Sequence, residues 1–249
     1  MNMRINLTVG CLCVGTAAVA SLGQAIMTQR ASTLIYNYVY GAGADTNVGG
    51  DTILDPILLQ TDAEHAQFGG QTSGFLPGMQ PYAASVQCTL DHQYEIFGPF
   101  AGFQGVTAGA STFVTAAASG LGSALMNSNN PGNELFLYFT LGATVPYRLF
   151  GFVSTPAPSA FTFVALQQFD GLVWQYVFYS AFLPGQQGNF DVAGALTPGS
   201  YRLWSAIALN AGANQGLSAT YHYEFGIPSP AGAGLLGLAA VAGLRRRRV

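Results

Sequence analysis

Two stretches, 85–96 and 217–227, alternate apolar and polar residues with a period of two, and that period restricts the chain's folding choices more than any other feature. In the first, Val86, Cys88, Leu90, Tyr94 and Ile96 fall on one side and Gln87, Thr89, Asp91, Gln93 and Glu95 on the other. In the second, Leu217, Ala219, Tyr221, Tyr223, Phe225 and Ile227 share a side. Successive side chains of a strand point to opposite faces, so each stretch reads as a half-buried strand. Further strands are expected at 34–40, 134–141, 147–153, 161–166, 172–179, 189–195 and 201–209, separated by turn formers such as Asn129-Asn130-Pro131-Gly132, Asp170-Gly171, Leu183-Pro184-Gly185 and Thr197-Pro198-Gly199-Ser200. Nine or ten short strands predict an all-β domain, a β-sandwich or jelly roll, with an irregular barrel as the alternative. Residues 113–126 are alanine-rich enough to predict one short helix, and 196–203 reads as part of a last hairpin.

Charge narrows the function classes. Arg4 and Arg245 to Arg248 lie at the two ends, so residues 26–226 hold all eleven acidic residues but only Arg30, Arg148 and Arg202 as bases, a net charge of −8. There is no lysine. Binding to nucleic acid or to an anionic lipid surface draws on clustered Lys and Arg, so neither partner is expected for this part of the chain.

Both ends read as targeting segments. Residues 1–25 place one charge, Arg4, before an apolar stretch at 5–20 and a run of small residues, the pattern of a secretory signal peptide handled by the Sec machinery. Cleavage fits after Ala20 or Ala25, the latter leaving a longer hydrophobic region. Thr8-Val9-Gly10-Cys11 lacks the leucine of a lipoprotein signal. With both ends removed Cys88 is the one cysteine left, so stability outside the cell must come from the core rather than from disulfides.

The other end, 227–249, has three parts in order: Pro228-Ser229-Pro230, an uncharged Ala/Gly/Leu run at 231–244, and the cluster Arg245, Arg246, Arg247 and Arg248. Fourteen to eighteen helical residues reach roughly 21–27 Å, short of the ~30 Å hydrocarbon core. The arginines favour the cytoplasmic side of a membrane, and the prolines end the helix and leave an extended strip outside it. These residues resemble the PEP-CTERM sorting signal, with Ser229 where that family's name-giving residue is Glu. The resemblance covers under a tenth of the chain. It implies a secreted bacterial protein held transiently in the inner membrane, cut near Pro228 and Pro230 by an exosortase, and passed to the cell surface or extracellular matrix.

Between the ends no motif of an enzyme or cofactor site occurs. Asp45, Asn47 and Asp51 begin like a calcium loop in an acidic, glycine-rich region, but Gly49 and Pro56 stand where an EF-hand has oxygen ligands. Cys88 and His92 lie four apart on one strand face, with His65 and His222 elsewhere, and no nucleophile, base and orienting group come together in the sequence. Tyr36, Tyr38 and Tyr40 share one strand face and Trp174, Tyr176 and Phe178 another. Such rows serve core packing or stack on sugar rings. The expectation is therefore a non-catalytic structural or adhesive surface protein without cofactor or metal; the alternative is a module for extracellular polysaccharide, calcium-assisted or not, and a secreted hydrolase is the remote third reading.

Overall fold

The computed structural model describes residues 25–55, 61–78, 80–155, 160–180 and 185–227. The signal-peptide reading up to Gln24 and the sorting signal from Pro228 onward, helix and arginines included, lie outside the described residues. Within them the chain forms twelve strands and two short 3-10 turns, Gly43–Asp45 and Phe100–Gly102. The strands are β1 (Ala25–Gly41), β2 (Asn47–Asp55), β3 (Thr61–Leu76), β4 (Gln80–Phe97), β5 (Gly105–Gly120) and β6 (Ser123–Leu141). They continue with β7 (Val145–Thr155), β8 (Ala160–Phe169), β9 (Trp174–Tyr179), β10 (Gln186–Leu196), β11 (Gly199–Ala211) and β12 (Gln215–Gly226).

Two six-stranded sheets face one another. Sheet A runs β2-β1-β6-β11-β8-β9 and sheet B runs β10-β7-β12-β5-β4-β3, with every pairing antiparallel. This is an open β-sandwich with four edges, not a closed barrel. The alternation read from the sequence is the cause: on β4 the inward positions from Tyr82 to Ile96 are buried and the outward ones are exposed or half-exposed, and on β12 Leu217, Ala219, Tyr221, Tyr223 and Phe225 are buried. Phe139 sits at one centre of the core, its ring 5.3 Å from Phe103, 5.5 Å from Tyr201 and 5.4 Å from Phe225. Every strand and every buried residue described lies between Ala25 and Ile227. Ala25 and Ile227 are themselves core residues, the Ala25 carbonyl accepting the Phe103 N–H at 2.9 Å and the Ile227 N–H donating to the Gln104 carbonyl at 2.7 Å.

Three local expectations are corrected. The predicted helix at 113–126 is instead the end of β5 and the start of β6, because Thr112, Phe113, Val114 and Thr115 favour extended backbone and β5 pairs on both sides, with β4 and β12. Asn129-Asn130-Pro131-Gly132 does not reverse the chain. It bulges β6 outward, interrupting the pairing with β1 between Leu34 and Asn37 and with β11 between Ile207 and Leu209, as a proline that cannot donate to a ladder requires. The turn Thr197-Pro198 does not close a hairpin either, since β10 belongs to sheet B and β11 to sheet A.

Of two buried polar side chains at the β6 bulge, Ser128 fills a gap in the ladder and Asn133 ties β6 to the opposite sheet. Ser128 accepts the Leu209 N–H at 3.2 Å, and the Asn133 amide donates across the core to the Asp91 carbonyl at 2.9 Å, with longer approaches to Ser111 O and Thr112 Oγ1, both 3.4 Å. Both are fully buried. A bulge that frees backbone groups inside a core needs a partner such as Ser128, because an unpaired buried polar group costs about 1–3 kcal/mol.

Candidate functional site

The outer faces of the two sheets differ in chemistry. Sheet B turns Gln87, Thr89, Asp91, Gln93, Glu95, Ser111, Thr220, His222 and Glu224 to solvent, and its Arg148 pairs with Asp191 through two bonds of 2.7 and 2.9 Å, an exposed ion pair. Arg148 holds the Asp191 carboxyl below its usual range. Phe113, Phe150 and Phe152 share this face, scattered among the polar side chains, with the Arg148 guanidinium 4.9 Å from the Phe150 ring centre.

Sheet A turns a layer of rings outward. Cross-strand register builds it in rows: Tyr138, Arg202, Gln167 and Tyr176 in one, Phe136, Trp204, Ala165 and Tyr179 in the next, then Glu134, Ala206 and Phe163. Phe136 and Trp204 stack at 5.5 Å with their planes 17° apart, and Phe163 meets Trp204 edge-on at 4.5 Å. Ala165 and Ala206 lie beneath these rings, fully buried although they point away from the sandwich core. An outer face that buries alanines under aromatics is a second, smaller apolar layer.

Arg202 lies in the middle of it. Its guanidinium is 4.6 Å from the Trp174 ring centre and 5.4 Å from those of Phe136 and Trp204, a cation over three ring faces. Its Nε donates to Gln167 Oε1 at 2.5 Å, and Trp204 Nε1 donates to Glu134 Oε1 at 2.6 Å. Burial pushes the Glu134 carboxyl above its usual range, against the opposing pulls of the Trp204 hydrogen bond and the Arg202 charge. The rim, by contrast, is open: Phe161, Phe169, Tyr176 and Tyr179 are exposed, and Trp174 stands half-buried between Tyr138 at 5.7 Å and Phe169 at 5.2 Å. The arrangement offers ring faces with a fixed cation and a carboxylate among them, but no nucleophile and base within reach of each other.

The residues singled out from the sequence fall elsewhere or regroup. Tyr36, Tyr38 and Tyr40 turn inward at the β1 end of the sandwich, half-buried, where Phe68 of the opposite sheet stacks on Tyr38 at 4.1 Å and on Tyr36 at 5.4 Å. Trp174, Tyr176 and Phe178 do not share a face. A bulge at Val177 lets Tyr176 pair with Gln167 and Phe178 with Leu166, which sends Phe178 into the core against Phe190. Asp45, Asn47 and Asp51 do not form a loop around one point: Asp45 ends a 3-10 turn, and Asn47 and Asp51 stand four residues apart on extended β2, about 13 Å along the strand. Among the described residues no group of three or more His, Cys, Asp or Glu is placed to hold a metal. Cys88 is fully buried, and burial pushes its thiol up to about 12. His92 is buried between Tyr94 and Tyr221, while His222 is exposed on the far face. No helix of the described residues is long and apolar enough to cross a membrane.

The outer aromatic layer was missed because its rings are scattered over four strands. Its signal is present in Glu134-Leu135-Phe136-Leu137-Tyr138-Phe139, a run apolar on both faces, which a strand needs only when both sides are covered.

No protein-family model and no curated protein matches the chain. Among solved structures, the enzymatically active domain of tailspike protein 4 of bacteriophage CBA120 is similar over 65% of this chain at 9% identity and a TM-score of 0.26, and the chain spans 19% of that protein. The VP2 subviral particle of infectious bursal disease virus is similar over 86% of this chain at 9% identity and a TM-score of 0.21, with 60% of that chain covered. At such scores these likenesses carry no argument about function.

Proposed function

We propose that the chain is an exported protein, trimmed by an exosortase at Pro228-Ser229-Pro230, whose β-sandwich acts without catalysis as an adhesive element of the cell surface or extracellular matrix. The observation that carries the adhesive reading is the contrast between the two outer faces. One is mostly polar and acidic, with Phe113, Phe150 and Phe152 scattered in it; the other gathers aromatic residues into one contiguous layer on a surface where they gain nothing from water. Extracellular polysaccharide is the partner that fits. The C–H faces of sugar rings stack on aromatic faces, and sugar hydroxyls need fixed donors and acceptors, which Arg202, Gln167 and Glu134 supply. The polysaccharide reading moves in this way from Tyr36, Tyr38 and Tyr40, which serve the core, to the Trp174 and Tyr176 rim.

Affinity electrophoresis of residues 25–227 through gels containing a neutral β-glucan or a polyuronate tests it. Retardation by one of them is expected, falling at least tenfold in strength in Trp174→Ala and unchanged in Thr220→Ala on sheet B. Equal loss in both variants, or no retardation by either polymer, refutes the reading. Export and trimming are tested separately by mass spectrometry of the protein from its host, where an intact C-terminus at Val249 on surface material is the refuting result.

A further inference from the structure

Four strands end the two sheets, and three of them are protected. An edge strand leaves a row of peptide groups unpaired, and proteins guard such rows with charge, glycine, proline or bulges. β2 carries Asp51 and Asp55 with Gly49 and Gly50; β3 carries Asp62 and Glu64 with Gly69, Gly70 and Gly74; β10 carries Asp191 with Gly188 and Gly194. β9 reads Trp174-Gln175-Tyr176-Val177-Phe178-Tyr179, with no charge, no glycine and no proline. Its single guard is the Val177 bulge. No described strand pairs with its outer side.

The apolar exposure of the molecule gathers at the same place. Of thirteen exposed large apolar side chains among the described residues, seven belong to the β8–β9 hairpin: Phe161, Phe169, Leu172, Val173, Tyr176, Val177 and Tyr179. Leu172 is 89% exposed at the tip of the turn. Asp170 holds that turn rigid, its carboxylate accepting the Leu172 and Val173 N–H groups, both at 2.9 Å, and the Gln175 amide at 3.1 Å. An apolar strand edge on a fixed hairpin is a surface that pairs, not one that moves aside.

We propose that β9 pairs with β9 of a second copy, antiparallel about a two-fold axis, joining two A sheets into one of twelve strands. The occupant follows from charge. A neutral edge offers nothing to a charged strand, and a body of −8 repels its own copies at the acidic edges β2 and β3, while β10, whose one acid is paired with Arg148, is interrupted by glycines. The neutral edge is where two copies approach with least repulsion, and a two-fold makes the uncharged sequence face itself. The pairing carries the aromatic layer of each copy across the axis onto the next. A six-residue strand spans about 20 Å and its bulge shortens the paired stretch, so the contact is smaller than a standard interface and the association weak. It would count where copies are crowded on a surface.

Sedimentation velocity of residues 25–227 from about 1 to about 100 μM tests the pairing. The expected result is a sedimentation coefficient that climbs from monomer towards dimer with concentration, and a Val177→Lys variant that needs at least tenfold more protein for the same climb at an unchanged melting temperature. Ala193→Lys on β10 should leave the climb as it is. If Val177→Lys fails to fold, Gln175→Lys decides, since that side chain already stands in solvent. A wild-type body that stays monomeric throughout, association that survives both β9 variants, or association lost equally in Ala193→Lys overturns the proposal. Polysaccharide retardation of a monomeric body leaves the adhesive reading intact.

Discussion

The β6 bulge makes a sharp energetic prediction at Asn133. Its amide is fully buried and gives one well-formed hydrogen bond, 2.9 Å to the Asp91 carbonyl, and two long ones of 3.4 Å to Ser111 O and Thr112 Oγ1. In Asn133→Ala the short bond is lost. If water replaced it the cost would be about 1 kcal/mol, and if the Asp91 carbonyl keeps a dry face it is about 3 kcal/mol. Leu135 and Leu90 beside it are at 0% exposure, but the bond is part-buried and its acceptor strands turn the Asp91 and Ser111 side chains to solvent, so the cost falls between the two figures, about 2 kcal/mol. With a urea dependence of about 2 kcal/mol per molar, the unfolding midpoint falls by about 1 M, read by Trp fluorescence of residues 25–227. Asn210→Ala, an exposed residue on neighbouring β11, should stay within about 0.5 kcal/mol of wild type. Asn133→Asp adds a sign. An ionised carboxylate facing carbonyl oxygens repels them, whereas a protonated one donates to Asp91 O. Its folded-state pKa would therefore be raised, and its stability deficit should shrink as pH falls. A midpoint shift below about 0.3 M in Asn133→Ala, or a pH-independent deficit in Asn133→Asp, refutes the claim that this amide ties β6 to the opposite sheet.

Two further outcomes follow from titrating groups. A thiol held at about 12 is thiolate to roughly one part in 10⁴ at pH 8, and Cys88 is fully buried, so 5,5′-dithiobis(2-nitrobenzoate) should not label native residues 25–227 and should label one thiol in urea; prompt native labelling refutes it. For Glu134, a carboxyl raised by burial, the stability it contributes is present below its unfolded pKa of about 4.3 and lost as pH rises through the folded value. Glu134→Gln keeps an acceptor for Trp204 and removes that loss, so its stability relative to wild type should rise between about pH 4 and pH 7. A gap that stays constant over that range, measured by urea unfolding, shows that burial does not govern this carboxyl.

Legibility followed side-chain contrast. β4 and β12 were plain in the sequence because each sets large apolar residues against Gln, Asp, Glu or Ser, and a one-residue slip would bury the polar set. β5 was hidden because its inner face is Val106, Ala108, Ala110, Thr112, Val114 and Ala116 and its outer face, Phe113 apart, is Thr107, Gly109, Ser111, Thr115 and Ala117, so the two faces differ little in size or polarity. Alanine's helix propensity then dominated the local reading, while in the fold β5 lies opposite β6 and β11, whose inward Leu135, Leu137, Phe139, Tyr201 and Leu203 fill the space that small residues leave. β2 and β3 were hidden for a related reason. Their glycines make room rather than contrast: a Cβ on Gly49 would meet Tyr38 Oη at 2.5 Å, and one on Gly70 would meet the Tyr40 ring at 2.6 Å.

The aromatic face shows why the candidate site was harder to read than the fold. A core position is set by its own strand's period, but a surface platform is set by register among strands far apart in sequence. Trp204 meets Phe136 across 68 residues only because β11 pairs with β6, and Arg202 reaches Trp174 only after the Val177 bulge has separated Tyr176 from Phe178. A row of three aromatics at alternate positions therefore said less than it seemed to. Tyr36, Tyr38 and Tyr40 kept their common face and spent it on Phe68, whereas Trp174 and Tyr176 lost Phe178 to the core and came to rim a platform built from β6, β8 and β11. The acidic charge of the body adds the remaining step. It leaves Arg202 as one of three cations between residues 26 and 226, half-buried among rings with Glu134 as its neighbouring carboxylate, so a ligand of that face meets the exposed rim first and the charge pair beneath it second.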